Sequence, residues 1–304
     1  MKKKNKAIYL LFLMPFVYFA TACFVVWLVK TSGIYPSGSD TMYHVYRGDY
    51  VYNAIKSGNW YPLYDPAWYN GVEILRYWSP FPAYVMAFCQ YLAGGSQFGA
   101  YLFYIGGVCF LGACVWPFIG RGFNRPYLGA FIGLLWFFMP NNLCAIFIEG
   151  NLARSLSMIF LPVFIYSVYK YLYNHKLRYI PLMVFTFLLM ELCHLGYAGM
   201  VAIAVIIYGI VYIIQKGRKK AVLDVVISMI FGFMLVASLR GGITSLDNSE
   251  NMANFFQNLW ITINPFERLT RGFEYFYFGF ATLVVIVFGI LFGYKKSRTG
   301  FVTG

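Results

Sequence analysis

The chain opens Lys2-Lys-Lys-Asn-Lys6 and then runs without a charge through Ala7-Ile-Tyr-Leu-Leu-Phe-Leu-Met-Pro-Phe-Val-Tyr-Phe-Ala-Thr-Ala-Cys-Phe-Val-Val-Trp-Leu-Val29. A basic start before an apolar run also describes a secretory signal, and Ala20-Thr-Ala-Cys23 resembles a lipoprotein cleavage site. The apolar run is longer than the ~7–15 residues of a signal core. At a helical rise of ~1.5 Å per residue it is long enough for a ~30 Å hydrocarbon layer. It therefore reads as an uncleaved first span with its basic end in the cytoplasm.

The composition agrees with this reading. Of 304 residues, 60% are hydrophobic and only 12% charged, against ~25% charged in an ordinary globular domain. The net charge of +13 invites a nucleic-acid reading. Its lysines and arginines fall between apolar runs, where they orient helices in a bilayer, so that reading is rejected. The six cysteines, mostly inside apolar segments, form no Cys-x-x-Cys pair and imply neither zinc nor a disulfide framework.

Apolar segments at about 7–29, 98–119, 127–146, 156–173, 179–195, 197–215, 222–238 and 275–293 predict eight spans in an all-α polytopic membrane protein. A shorter piece, 80–93, begins Pro80-Phe-Pro82 and suits a juxtamembrane or re-entrant helix. Charge decides that choice. If 80–93 does not cross, the clusters Lys2–Lys6, Arg121–Arg125, His175–Arg178, Gln215–Lys220 and Lys295–Arg298 all lie inside. If it crosses, four of those five move outside.

The organisation expected is one transmembrane domain over 1–304. It comprises a first span (1–30), a long extracytoplasmic loop with juxtamembrane helices (31–97), a six-span bundle (98–238), a second outer loop (239–274), and a last span and tail (275–304). Ten of the eleven acidic residues then fall outside or at the outer edge, which concentrates polar chemistry on the extracytoplasmic face. The ending Gly300-Phe-Val-Thr-Gly304 has the look of the N-terminal part of a longer protein.

Within the first loop, Ser37-Gly-Ser-Asp40-Thr-Met-Tyr-His44-Val-Tyr-Arg47 sets an acid, a histidine and an arginine at i, i+4 and i+7, one face of a helix. Ser37 or Ser39 suits the cap of a helix with Asp40 in its first turn. Two readings fit. In one, Asp40 only complements the helix N-terminus and Arg47 only pairs with Asp40 or Asp49. In the other, Asp40 is a general base or metal ligand, and His44 and Arg47 orient it or contact a phosphate. Ionisable residues at a membrane edge favour a functional role.

Next comes Gly58-Asn-Trp60-Tyr-Pro62-Leu-Tyr-Asp65-Pro-Ala-Trp68-Tyr-Asn70-Gly71, then Arg76-Tyr77-Trp78-Ser79-Pro80. Dense aromatics broken by proline and glycine fit an interfacial belt, or a platform for sugar or lipid that includes Asp65, Tyr77 and Trp78. The turn Glu149-Gly-Asn151-Leu-Ala-Arg154 is either a plain ion pair or a second acid facing Asp40, with Arg154 on a phosphate. His194 and Arg240 are further candidate contacts. Phosphate loops, dinucleotide fingerprints, nucleophile elbows and His-Glu-x-x-His are absent from the sequence.

A cytoplasmic basic start, one span and a long outer loop opening on an acidic residue resemble the membrane-embedded GT-C glycosyltransferases. More closely, Ser39-Asp40 with His44 and Arg47, Asn59-Trp60-Tyr-Pro62, Tyr69-Asn70-Gly71 and Tyr77-Trp78-Ser79-Pro80 resemble bacterial multi-pass proteins named "6-pyruvoyl-tetrahydropterin synthase-related". This resemblance lies mostly within residues 1–95. The GT-C likeness implies transfer of a sugar from a membrane-borne polyprenyl-phosphate donor to an extracytoplasmic glycan, lipid or protein. It implies Asp40 as base or ligand of a divalent metal (Mg or Mn), assisted by Glu149, with Arg47, Arg154 or Arg240 at the donor phosphate. No Asp-x-Asp accompanies them. The alternatives are a transporter or flippase of a lipid-linked or polar solute, and a non-catalytic membrane assembly subunit.

Overall fold

The computed structural model describes residues 2–237 other than Ser37, Tyr69 and Asn70, together with Val287 and Phe288; side chains are described from Phe12 onward, that of Tyr77 excepted. Contacts within the chain divide it into two units, Met1–Gly242 and Ile243–Gly304. The architecture below is that of the first.

Among the described residues the regular elements are helices, with one isolated antiparallel bridge between Asp65 and Val72. In order they are α1 (Lys2–Ser32), α2 (Thr41–Lys56), α3 (Ile74–Tyr77), α4 (Phe81–Leu92), α5 (Gln97–Gly122), α6 (Pro126–Leu135), α7 (Pro140–Leu143), α8 (Leu152–Asn174), α9 (Tyr179–Cys193), α10 (Leu195–Lys216) and α11 (Lys219–Ala237). Three long helices begin where a cap is available. Ser96 accepts from the Gly99 N–H ahead of α5, Asn151 from Arg154 ahead of α8, and His194 from Tyr197 ahead of α10.

Among the described residues five helices are long and apolar enough to span a bilayer, six if one bent pair counts as a single span. The protein is thus an all-α, multi-pass membrane protein, but the expected count of eight is not supported. Two segments account for the difference among the described residues. The expected span 127–146 is broken into α6, a 3-10 turn (Trp136–Phe138), α7 and a π turn (Cys144–Ile148), with a bend of 41°. Pro140 is the local cause: it drives Met139 into extended backbone, ψ 120°. The segment expected at 179–195 is α9, 15 residues long, or ~22 Å at 1.5 Å per residue, less than a ~30 Å core. The eighth expected span, 275–293, lies outside the described residues except for two of them.

α4, at 12 residues, is as short as expected there, ~18 Å at 1.5 Å per residue. The bundle packs around two clusters. The first joins α1, α4, α5 and the start of α8 through Tyr18, Met86, Tyr101, Tyr104, Ile105 and Leu152. The Tyr18 hydroxyl also donates to the Ala130 carbonyl on α6 (2.8 Å). The second joins α8 to α11 through Phe164, Met183, Met190, Ala198 and Val225. Between apolar helices in lipid such close packing, with polar hydrogen bonds across it, supplies most of the association energy. A smaller cluster of Val51, Ile74, Leu75, Ala83 and Ala87 fastens α2 and α3 onto α4. Val51 continues, one turn after Arg47, the stripe of α2 that carries Asp40, His44 and Arg47, so its burial in this cluster holds that stripe in a defined geometry.

Candidate functional site

α2 starts one residue later than expected. Asp40 occupies its N-cap position, yet the carboxylate makes no capping hydrogen bond. The Ser39 hydroxyl instead donates to Asp40 Oδ1 (3.1 Å) and reaches the Glu149 carbonyl (3.1 Å). The Asp40 N–H donates to the same Glu149 carbonyl (3.1 Å). The two acids singled out in the sequence therefore meet through the backbone.

That approach needs glycine on both sides. A Cβ on Gly38 would stand 2.5 Å from the Gly150 Cα, and one on Gly150 would stand 2.2 Å from Thr41 Oγ1. Gly150 also has φ +67°, a left-handed conformation that glycine adopts at least cost.

The carboxylate of Glu149 turns away from Asp40. It pairs with Arg154 (2.7 Å), both side chains largely buried, and accepts weakly from the Cys144 thiol (3.5 Å). Arg154 sits in the first turn of α8, a position its partner carboxylate makes tolerable.

A cavity of about 690 Å³ opens beside this junction. Its polar wall is Asp40, His44, Arg47, Ser79, Asn151 and His194, and its aromatic wall is Tyr43, Trp68 and Trp78. The one-face spacing of Asp40, His44 and Arg47 thus projects all three into one space, as the periodicity predicts. Arg47 is 2% exposed. Its guanidinium donates to the Ser79 carbonyl (2.9 Å) and lies 5.4 Å and 5.8 Å from the ring centres of Tyr43 and Trp78, within cation–π range. The Ser79 hydroxyl in turn donates to the Glu191 carbonyl (3.1 Å), tying this wall to the end of α9.

His44 is buried, and that burial, with Arg47 and then His194 adding like charge, lowers its pKa to about 3. It is a neutral imidazole at neutral pH. His194 breaks the chain between α9 and α10; its Nδ1 accepts from the Tyr197 N–H (3.0 Å), and Nε2 faces the Asn151 amide (3.4 Å).

The remaining candidates are placed differently. Asp65 is buried and serves the loop: it accepts from the Tyr46 hydroxyl (2.6 Å) and the Ala67 N–H (3.0 Å), beside its bridge to Val72. It is not among the cavity-lining residues, nor are Glu149 and Arg154. The side chain of Tyr77 and all of Arg240 lie outside the described residues. Sequence reasoning passed over Asn151 and Ser79. Asn151 carries a signal, an Asx residue immediately before an apolar helix; Ser79 carries none.

Among the described residues no three His, Cys, Asp or Glu side chains converge to hold a metal ion. Asp40 offers one carboxylate, while Glu149, the expected second, is held by Arg154. The described side chains do not fit a multidentate divalent site.

No curated protein and no solved structure matches the chain. A family model described as "6-pyruvoyl-tetrahydropterin synthase related domain; membrane protein" matches residues 75–304, about three quarters of the length. The match includes the Tyr77-Trp78-Ser79-Pro80 motif and begins downstream of the other first-loop motifs. The chain belongs to the 6-pyruvoyl-tetrahydropterin synthase related family of membrane proteins.

Proposed function

We propose that this protein is a membrane glycosyltransferase of GT-C type. It moves a sugar from a polyprenyl-phosphate donor to an acceptor hydroxyl on a glycan, lipid or protein at the extracytoplasmic face of the cytoplasmic membrane. The observation that carries the reading is the cavity itself: one uncapped carboxylate, one buried guanidinium and a wall of Tyr and Trp share about 690 Å³ at one end of an apolar helix bundle.

In the proposed step the acceptor oxygen attacks the anomeric carbon while Asp40 takes the acceptor proton. The bond from that carbon to the donor phosphate oxygen breaks, and the electron pair leaves with the polyprenyl phosphate. Arg47 faces the charge that develops there, where a fixed cation is worth most. Neutral His44 offers a hydrogen bond without adding charge, and His194 lines the cavity beside it. Tyr43, Trp68 and Trp78 suit the apolar faces of a sugar ring. Glu149 acts through Asp40 by holding its backbone, and Arg154 neutralises Glu149.

One observation favours a second reading, transport of a lipid-linked or polar solute. The broken span ending at Glu149 resembles the interrupted helices on which transporters build their sites. Transfer from a polyprenyl-phosphate sugar by purified wild type and Asp40→Asn decides the matter. The proposal expects product from wild type and a loss of about 10²–10⁴-fold in the variant. Equal activity in two folded proteins removes Asp40 as the base, and solute movement with no transfer product favours the transporter.

A further inference from the structure

A second cavity, of about 400 Å³, lies on another face of α2 and is walled by Tyr46, Asp49, Tyr50, Asn53 and Ser57, with Ala54 between them. The first five recur at i, i+3, i+4, i+7 and i+11, one stripe of the helix. Asp49 stands nine residues on from Asp40, about half a turn round. Among the described residues the two cavities share no lining side chain.

The chemistry here is set by one half-buried carboxylate. Gln90, 2% exposed, donates to Asp49 Oδ1 (2.7 Å) and is itself fixed by the Gly95 carbonyl (3.1 Å). The Asn53 amide donates to Oδ2 (3.1 Å), which leaves its own oxygen for another donor. Both partners are neutral. Asp65, bonded to Tyr46 of the same stripe, is also held only by neutral donors, the Tyr46 hydroxyl and the Ala67 N–H. Among the described residues neither acid forms an ion pair. Arg76 is taken by Glu73 (3.0 Å), and Lys56 stands 5.3 Å over the Tyr52 ring. The Tyr46 hydroxyl is pushed up to about 12, by burial first, then by the bond and charge of Asp65 and lastly by Tyr50 and Asp49. It stays protonated and neutral.

A carboxylate aimed by a buried amide, with no counter-cation, in a tyrosine-walled space of a protein of net charge +13, has the character of a cation site. Calcium takes ~6–8 oxygen ligands, and among the described residues no three His, Cys, Asp or Glu side chains converge. A primary ammonium needs fewer partners. It carries three N–H donors, and Asp49 and Asn53 supply oxygens on one wall while Tyr46 and Tyr50 offer apolar ring area to its carbon chain. We propose that this cavity binds the primary ammonium group of an amine, with Asp49 as counter-charge, Asn53 as second acceptor, and Tyr46 and Tyr50 as walls. The same group comes from two sources, a free amine or the ethanolamine headgroup of a phospholipid.

The test is a ligand-observed NMR titration of the full chain in neutral detergent with ethanolamine, using choline and glycerol as controls. Ethanolamine is expected to bind, choline at least tenfold more weakly because it donates no hydrogen bond through nitrogen, and glycerol not at all. Asp49→Asn keeps the shape of the side chain and removes its charge, and should weaken ethanolamine at least tenfold, about 1.4 kcal/mol. Ala54→Leu keeps the carboxylate, fills the cavity and should do the same. An unchanged unfolding midpoint shows each variant folded, and the wild-type discrimination among probes needs no variant.

No ethanolamine binding, choline binding as tightly, displacement of ethanolamine by equimolar Ca²⁺, or undiminished binding by either folded variant overturns the assignment. Native mass spectrometry with phosphatidylethanolamine and phosphatidylglycerol of matched chains separates the sources. Selective retention of phosphatidylethanolamine that is lost in Asp49→Asn identifies the lipid headgroup; ethanolamine binding without that retention identifies a free amine.

Discussion

At one end of the bundle Arg47 stands over Tyr43 and Trp78 beside a large cavity. At the other, Lys170 stands 4.6 Å over the Phe123 ring and 5.6 Å from that of Tyr166, and gives its ammonium to the Gly122 carbonyl (2.6 Å). Nearby the Tyr171 hydroxyl donates to Asp224 (2.5 Å), Arg178 to the Tyr179 hydroxyl (3.2 Å), and Arg218 meets His175. The same residue types occur at both ends. At the Lys170 end the polar groups close helix termini and each other, with small gain per contact where exposed. At the Arg47 end the bundle leaves space in front of them. The comparison teaches that cation and aromatic content alone does not mark a site; the space they face does.

Breaking the Arg47 end should cost most. Glu149→Gln leaves Arg154, largely buried, without its carboxylate and should lower stability by about 3–5 kcal/mol, measured by thermal or denaturant unfolding in detergent. An unfolding midpoint unchanged from wild type would mean the pair is not structural. Gly150→Ala should cost about 1–3 kcal/mol, because the new Cβ meets Thr41 and φ +67° suits glycine. Its activity loss should exceed its stability loss, since the same change separates Asp40 from Glu149.

Acid should also act at this end. A histidine whose native pKa is lowered to about 3 from ~6.5 in the unfolded chain binds more protons when unfolded throughout that interval. Stability is thus fully present above pH ~6.5 and falls as pH drops toward ~3, by up to ~1.4 kcal/mol per pH unit. His44→Gln should flatten that part of the profile. An unchanged slope would place the acid sensitivity elsewhere. The smallest effect belongs to the Lys170 end: Lys170→Met should cost about 1 kcal/mol of stability from the lost hydrogen bond and cation–π contact and leave transfer activity alone.

Much of this architecture is legible in the sequence where one period dominates. The spans at 98–119 and 156–173 became α5 and α8 with ends shifted by a few residues, because long apolar runs overwhelm local preference. The stretch 127–146 was equally apolar, but Pro140 has a local steric effect that hydropathy averages away. At the site, the i, i+4, i+7 spacing brought Asp40, His44 and Arg47 together, since helical periodicity is a local rule. The Glu149–Arg154 pair is one of two readings of its turn, five residues apart, and the structure forms it. That Asp65 serves its own loop could not be read, because it depends on contacts closed by turns. Ser79 was illegible for the same reason: its role is a carbonyl offered to Arg47 from 32 residues away.

The central claim is that the carboxylate of Asp40 does chemistry and does not cap a helix. The most direct measurement is single-turnover transfer from a polyprenyl monophosphate sugar by wild type, Asp40→Asn and Lys170→Met, each checked for an unchanged fold. The account predicts product from wild type and Lys170→Met at similar rates, and a loss of about 10²-fold or more in Asp40→Asn. Product at the wild-type rate from Asp40→Asn would contradict it.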